Sequence, residues 1–205
     1  MVIKNTPVKD RHKELILIAY HHIAERGFEG LRVHDVATEA GINNATLHYY
    51  FPTKEDLIQG VMDFMIEKLS KSYTIESGAK ESPDAWIEMR AELEDTRQSF
   101  RNDRDLLVVF TELLARSIRD PAIAEIFKKH NENWRDYLAG IIERGVRQGV
   151  FRSDLDPAIV AILVMLQIKG FGLHMLGETD GATADDIFDQ LVLQVKTCLS
   201  GEFKN

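Results

Sequence analysis

Gly41 constrains this chain more than any other single residue, because it separates two short stretches whose apolar residues follow a helical period. Val33, Val36, Ala37 and Ala40 fall at i, i+3, i+4 and i+7, a stripe along one face of a helix. Gly41 then supplies the left-handed conformation that turns the chain sharply, and the small Ala37 lets a second helix approach closely. Ile42 and Leu47 are placed to fill the gap between the two. Asn43 or Asn44 can cap the second helix through its side-chain oxygen, leaving Ala45, Thr46, His48, Tyr49 and Tyr50 on its early turns. Two short helices about a tight turn, the second rich in hydrogen-bonding side chains, form the geometry that carries a recognition helix into the major groove of DNA.

The run Gly41-Ile42-Asn43-Asn44-Ala45-Thr46-Leu47-His48-Tyr49-Tyr50-Phe51, continued by Lys54-Glu55-Asp56-Leu57, resembles the DNA-binding domain of TetR-type transcriptional regulators. Upstream, Gly27-Phe28, Val33 and Asp35-Val36-Ala37 extend the similarity over about the first sixty residues. The resemblance implies that Thr46, Tyr50 and Lys54 contact phosphates, while Asn44, Ala45, His48 and Tyr49 face the major groove. The chemistry is consistent with those roles. Hydroxyls and an ammonium at a helix start fix register on the backbone, and base identity is read by side chains reaching the groove floor. Among the latter, Asn44 is the natural bidentate reader, and Ala45 offers a methyl to thymine. Two departures stand out. Leu31 and Arg32 occupy positions where relatives often carry Thr or Ser, and Asn44 stands where Lys or Arg is common; Arg32 can replace a neutral phosphate contact with a charged fork. The expected DNA-binding set is therefore Arg32, Asn43, Asn44, Ala45, Thr46, His48, Tyr49, Tyr50 and Lys54.

A net charge of -8 looks wrong for a DNA binder until it is divided along the chain. Residues 1–60 carry 7 Lys and Arg against 8 Asp and Glu, a net -1, whereas residues 61–205 carry 18 against 25, a net -7. The acidic excess belongs to the second part, and Lys4, Lys9, Arg11 and Lys13 against Asp10 give the beginning a local +3 that can meet the DNA backbone. So few cations per subunit imply that two subunits share the site.

The length of 205 residues leaves room for a second, larger domain. The chain reads as all-α, about nine helices in total: a three-helix DNA-binding domain over residues 1–53 and a helical dimerisation and ligand-binding domain over 54–205. A first helix is expected from about Lys9 to Arg26, burying Ile16, Ala19 and Ile23, and Thr53 is placed to cap a fourth helix. Breaks are expected at Pro52, Ser77–Pro83, Asp120-Pro121, Gly149, Asp156-Pro157 and Gly177. Trp86, Met89, Leu93 and Phe100 form one apolar stripe and Leu106, Val109, Phe110 and Leu113 another, both expected to feed one core. Asp120-Pro121 is a cap followed by Pro at the first helical position, opening a long helix. The run after Pro157 is apolar for nine residues, Ala158 to Leu166, and predicts a helix buried on nearly every side. With a final helix from about Thr183 to Ser200, it suggests half of a four-helix dimer interface through Ile162, Leu166, Gly170, Ile187, Leu191, Val195 and Leu199. From Ile123 to Leu176 the sequence also resembles, more loosely, the C-terminal domain common in TetR relatives, with Lys169 where an acidic residue is frequent.

What the resemblance implies for function is a homodimeric repressor on a palindromic operator, two recognition helices about 34 to 36 Å apart, released by a small-molecule effector that favours the non-binding state. Candidate pocket residues are Trp86, Met89, Phe110, Trp134, Tyr137, Phe171 and His174. The alternative is a second domain that only dimerises or binds a protein.

Other classes find little support. No Gly-x-Ser-x-Gly elbow, phosphate-cradling glycine loop or His-Glu-x-x-His spacing occurs, so neither an enzyme nor a metal or other cofactor is expected. Cys198 is the one cysteine, which excludes an intramolecular disulfide framework and fits a reducing cytoplasm. The polar beginning and an apolar run shorter than the ~18 residues of a membrane span predict a cytoplasmic protein with no membrane partner.

Overall fold

The computed structural model describes residues 8–69, 84–177 and 181–201; the loop expected at 77–83 and Lys4 lie outside them. The described residues form nine α-helices: α1 (Val8–Arg26), α2 (Val33–Glu39), α3 (Asn44–Tyr50), α4 (Lys54–Leu69), α5 (Ala85–Asn102), α6 (Arg104–Ser117), α7 (Pro121–Gln148), α8 (Pro157–Gly177) and α9 (Gly181–Ser200). A single 3-10 turn, Phe28–Gly30, links α1 to α2.

Two compact units result: Met1–Glu67 with Val108–Phe127, and Lys68–Leu107 with Lys128–Asn205. In the first, α1 buries Leu15, Ile16, Ala19, Tyr20 and Ile23, and α4 buries Leu57, Ile58, Val61, Met62 and Met65. The C-terminal half of α6 belongs to this unit, with Val109 and Leu113 fully buried. The expectation that α5 and α6 feed a single core is thus corrected, since Leu106 and Leu107 fall in one unit and Val109 and Leu113 in the other. A helical stripe identifies the face that is buried, not what buries it.

The second unit has one core. Met89 and Leu93 of α5, Leu138, Ile141 and Ile142 of α7, Val164 and Ile168 of α8, and Phe188, Leu191, Val195 and Leu199 of α9 meet there. Helix starts follow local chemistry: Asp84 Oδ1 accepts from Trp86 N at 2.8 Å, Asp120 Oδ1 from Ala122 N at 3.1 Å and Asp156 Oδ1 from Ala158 N at 3.0 Å. α7 ends at Gly149, whose φ of 71° lets Val150 N reach back to the Gly145 carbonyl at 3.0 Å, a left-handed helix stop. The α8 helix is not buried all round. Val160, Ala161, Val164, Met165 and Ile168 face the core, whereas Ile159, Ile162, Leu163, Leu166 and Leu173 are exposed. With a mean hydropathy of 1.9 over eighteen residues, α8 is long and apolar enough to cross a bilayer by composition alone. Its buried side is nonetheless an integral part of the core of this unit.

Candidate nucleic-acid interface

The α2–turn–α3 segment is built by backbone closure at both sides of the turn. Gly41 has φ 67°, Gly41 N donates to Thr38 O at 3.0 Å and Ile42 N to Ala37 O at 2.9 Å, the paired bonds of a Schellman stop. Asn43, in extended conformation, then opens α3, its Oδ1 accepting from Thr46 N at 2.8 Å. Leu47 is wholly buried beneath the turn, with Val36 and Ala37 facing it from α2. At the other end Thr53 and Asp56 form a reciprocal box: Asp56 N donates to Thr53 Oγ1 at 3.1 Å and Thr53 N to Asp56 Oδ2 at 2.9 Å, which starts α4 immediately after the recognition helix. Arg32 takes the N-cap position of α2 with no side-chain capping bond, so its exposed guanidinium is not used to start the helix.

These closures leave one face of α3 in solvent. Asn44, Ala45, His48 and Tyr49 are exposed, Tyr49 to 77 %. Tyr49 and Tyr50 meet edge to face with centroids 5.4 Å apart, fixing the direction of both rings. His48 Nδ1 lies 3.2 Å from the Pro52 carbonyl; a carbonyl can only accept, so Nδ1 is the donor in this bond. Thr46 Oγ1 donates to Asn43 Oδ1 at 3.0 Å, and must rotate to donate to a phosphate. Lys54 Nζ sits 4.6 Å from the centroid of the Phe28 ring. Burial there lowers its pKa, Glu29 opposing the shift and Arg116 adding to it.

Several supporting residues carry no signal in local spacing. Arg11, grouped above with the basic N-terminal cluster, donates to the Ala40 carbonyl at 3.0 Å and pairs with Glu14 at 2.9 Å, so it holds the end of α2. His22, buried on α1, meets Glu39 of α2 at 2.8 Å. From α6, Glu112 Oε2 accepts from Phe28 N at 2.9 Å, and Arg116 reaches Glu29 at 2.9 Å with its guanidinium 5.0 Å from the Phe28 ring centroid. Glu112 and Arg116 are one turn apart, and that spacing was the only hint that they act together.

The candidate ligand residues do not form one group. Met89 is buried in the core of the second unit with Trp86, Trp134 and Tyr137 packed against it. Phe171 packs edge to face on Phe188 at 4.9 Å, as part of the same core. Phe110 instead meets Phe127 edge to face, 5.5 Å away, in the first unit, and His174 is exposed on the rim of a groove between α8 and α9. The interface candidates divide too. Ile162, Leu166, Gly170 and Ile187 face outward, whereas Leu191 is 7 %, Val195 1 % and Leu199 0 % exposed; these three are corrected to core residues of this unit. Lys169 turns toward α7, donating to Asn131 Oδ1 at 2.7 Å with Nζ 5.8 Å from the Trp134 ring.

Residues 16–61 match the tetR family of bacterial regulatory proteins, and residues 88–199 match the C-terminal region of BetI-type transcriptional repressors. The chain belongs to the TetR family. It is 25 % identical over 150 residues to the transcriptional repressor KstR2 of Rhodococcus jostii, covering 71 % of this chain and 70 % of that one. To the fatty acid metabolism regulator protein of Bacillus subtilis it is 27 % identical over 163 residues, 76 % of this chain and 78 % of that one. A TetR transcription regulator from Haloarcula marismortui shares the fold at a TM-score of 0.75 and 22 % identity, over 96 % of this chain and all of that one. This TetR-family protein is a DNA-binding transcriptional repressor and not an enzyme.

Proposed function

We propose that the protein represses transcription in the cytoplasm as a homodimer bound to a palindromic operator, and that a small-molecule effector releases it. The observation that carries this reading is the outward face of α3, where Asn44, Ala45, His48 and Tyr49 stand in solvent on a helix locked at both ends. These four residues read bases; Arg32, Thr46, Tyr50 and Lys54 hold phosphates, and Asn43 acts through its cap.

The exposed apolar side of α8 and α9 supports the dimer. Ile159, Ile162, Leu163 and Leu166 fall at i, i+3, i+4 and i+7 of α8 and are all exposed, as are Ile187 and Leu193 of α9, apolar side chains that a partner would cover. Pairing two copies of these helices makes an isologous four-helix contact.

Selection of binding sites from random duplex DNA, followed by stoichiometry and salt titration of the winners, tests the proposal. An enriched palindrome bound by two chains supports it. Absence of enrichment, with no binding even at low salt, overturns the interface assignment.

A further inference from the structure

The inward face of α5 carries three carboxylates at i, i+4 and i+7: Glu88, Glu92 and Asp95, exposed to only 3 %, 3 % and 9 %. Buried carboxylates persist when a cation or several donors compensate them. Glu88 is compensated, because Arg144 Nη2 reaches its two oxygens at 2.5 and 2.6 Å. Arg97 is committed elsewhere, to Asp189 and Glu94.

Among the described residues Glu92 has no such cation. The Trp134 indole N–H is directed at its carboxylate, and Oε2 has no hydrogen-bond partner. Burial first, then the charge of Asp95, push its pKa up to about 7; the other charge acting on it is Glu88, also acidic. Lys169 does not serve it, since its ammonium is bonded to Asn131 and burial alone accounts for its lowered pKa. Around this carboxylate the chain places Met89 and Leu93 on the same helix and packs Trp86, Trp134 and Tyr137 against the same core.

We infer that Glu92 anchors a protonated primary amine carried on an apolar or aromatic body, the ammonium N–H donating to Oε2 and the body lying against Met89, Trp86, Trp134 and Tyr137. This rests on the effector reading above and names the effector's class. An anion is repelled by Glu92 and Asp95. A neutral alcohol supplies a donor without charge, and a quaternary ammonium supplies charge without a donor; of the three, the amine alone supplies both, on a single compact atom.

Trp86 and Trp134 are the chain's two tryptophans, so intrinsic emission reports on this region. The full chain is titrated at pH 7.5 with 2-phenylethylamine and 3-phenylpropylamine, each against its alcohol, 2-phenylethanol and 3-phenylpropanol, and with benzyltrimethylammonium. The expected result is saturable binding of an amine, with its alcohol and the quaternary ion weaker by about tenfold or more, as for a hydrogen bond to a charged group. Glu92→Gln abolishes that preference in a chain whose unfolding transition shows it folded, and Glu92→Asp retains it. No binding by either amine, equal binding of amine and alcohol, or an unchanged preference in Glu92→Gln overturns the inference. Release from the selected operator separates it from the effector reading. A neutral or anionic compound that frees the DNA while amines do not refutes the amine and leaves an effector in place; failure of compounds of every charge to free it counts against the effector itself.

Discussion

Both units cap helix ends with polar side chains, but among the described residues only the second also buries carboxylates along the inward face of a helix. In the first, Asn43, Thr53, Asp56, Arg11 and Glu112 each meet a backbone group left unpaired at a helix end or turn. In the second, Glu92 and Asp95 lie buried in the middle of α5, and Glu88, in its first turn, is buried against Arg144. Short helices lack the propagation that stabilises long ones, so α2 and α3, seven residues each, depend on such closures and present a rigid outer face. The longer helices α5 and α7 are capped too, by Asp84 and Asp120, but propagation over 18 and 28 residues makes them depend on it less. Carboxylates buried there work against stability, which is why the second unit is the place to look for a ligand.

The largest blow to the first unit comes from beneath its turn. Leu47→Ala opens a cavity where the side chain is 0 % exposed, with an expected loss of about 2 to 5 kcal/mol. Denaturant unfolding measures it, and DNA binding should fall together with stability. An equal loss of binding in a fully stable variant would show that Leu47 supports more than packing.

The contrasting prediction for the second unit has the opposite sign. Glu92 has a folded pKa of about 7 against an ordinary 4.5, so between those values the native state holds more protons than the unfolded one. Stability then falls as pH rises through that window, and the penalty is complete above about pH 7. Glu92→Gln removes it. The variant should be more stable by up to about 3 kcal/mol at pH 8, with the gain closing as pH falls toward 4.5. Thermal unfolding at the two pH values decides; a variant destabilised equally at both would show the carboxylate to be structurally required.

What the sequence made readable is what depends on near neighbours. Gly41, Asn43, Thr53, Asp120 and the stripes of α1 and α4 obey rules that span a few residues, and the helix-turn-helix followed from them. Arg11 to Ala40 and Glu112 to Phe28 join residues 29 and 84 positions apart, and no local pattern specifies those pairings. The dimer candidates show the same limit from the other side. A stripe of Leu191, Val195 and Leu199 says that one face of α9 is buried, and the chain's own core, not a partner, turned out to bury it. The pocket candidates were large or polarizable side chains, and the burial of three carboxylates on α5 was not legible because acidic residues on a helix usually face solvent.

A smaller effect separates capping from packing in the recognition helix. Asn43→Ala removes the acceptor for Thr46 N and Thr46 Oγ1, at an expected cost of about 1 kcal/mol. It also frees the Thr46 hydroxyl. If Thr46 holds a phosphate, operator affinity should fall by less than the helix weakening alone implies; binding and unfolding measured on the same preparation test this.

The smallest changes distinguish positioning from reading within α3. Tyr50, half-buried, and Tyr49, 77 % exposed, sit side by side, and the proposal gives them different parts of a duplex. Tyr50→Phe deletes one hydroxyl and should weaken binding by about 0.5 to 1.5 kcal/mol on every sequence alike, since a phosphate contact carries no base information. Tyr49→Ala should instead change which bases are preferred at one position of each half-site, with a smaller change in affinity for random DNA. Repeating the site selection with both variants reads the two outcomes separately. A preference shift from Tyr50→Phe, or uniform weakening from Tyr49→Ala, would exchange their roles and rotate the recognition helix in the groove.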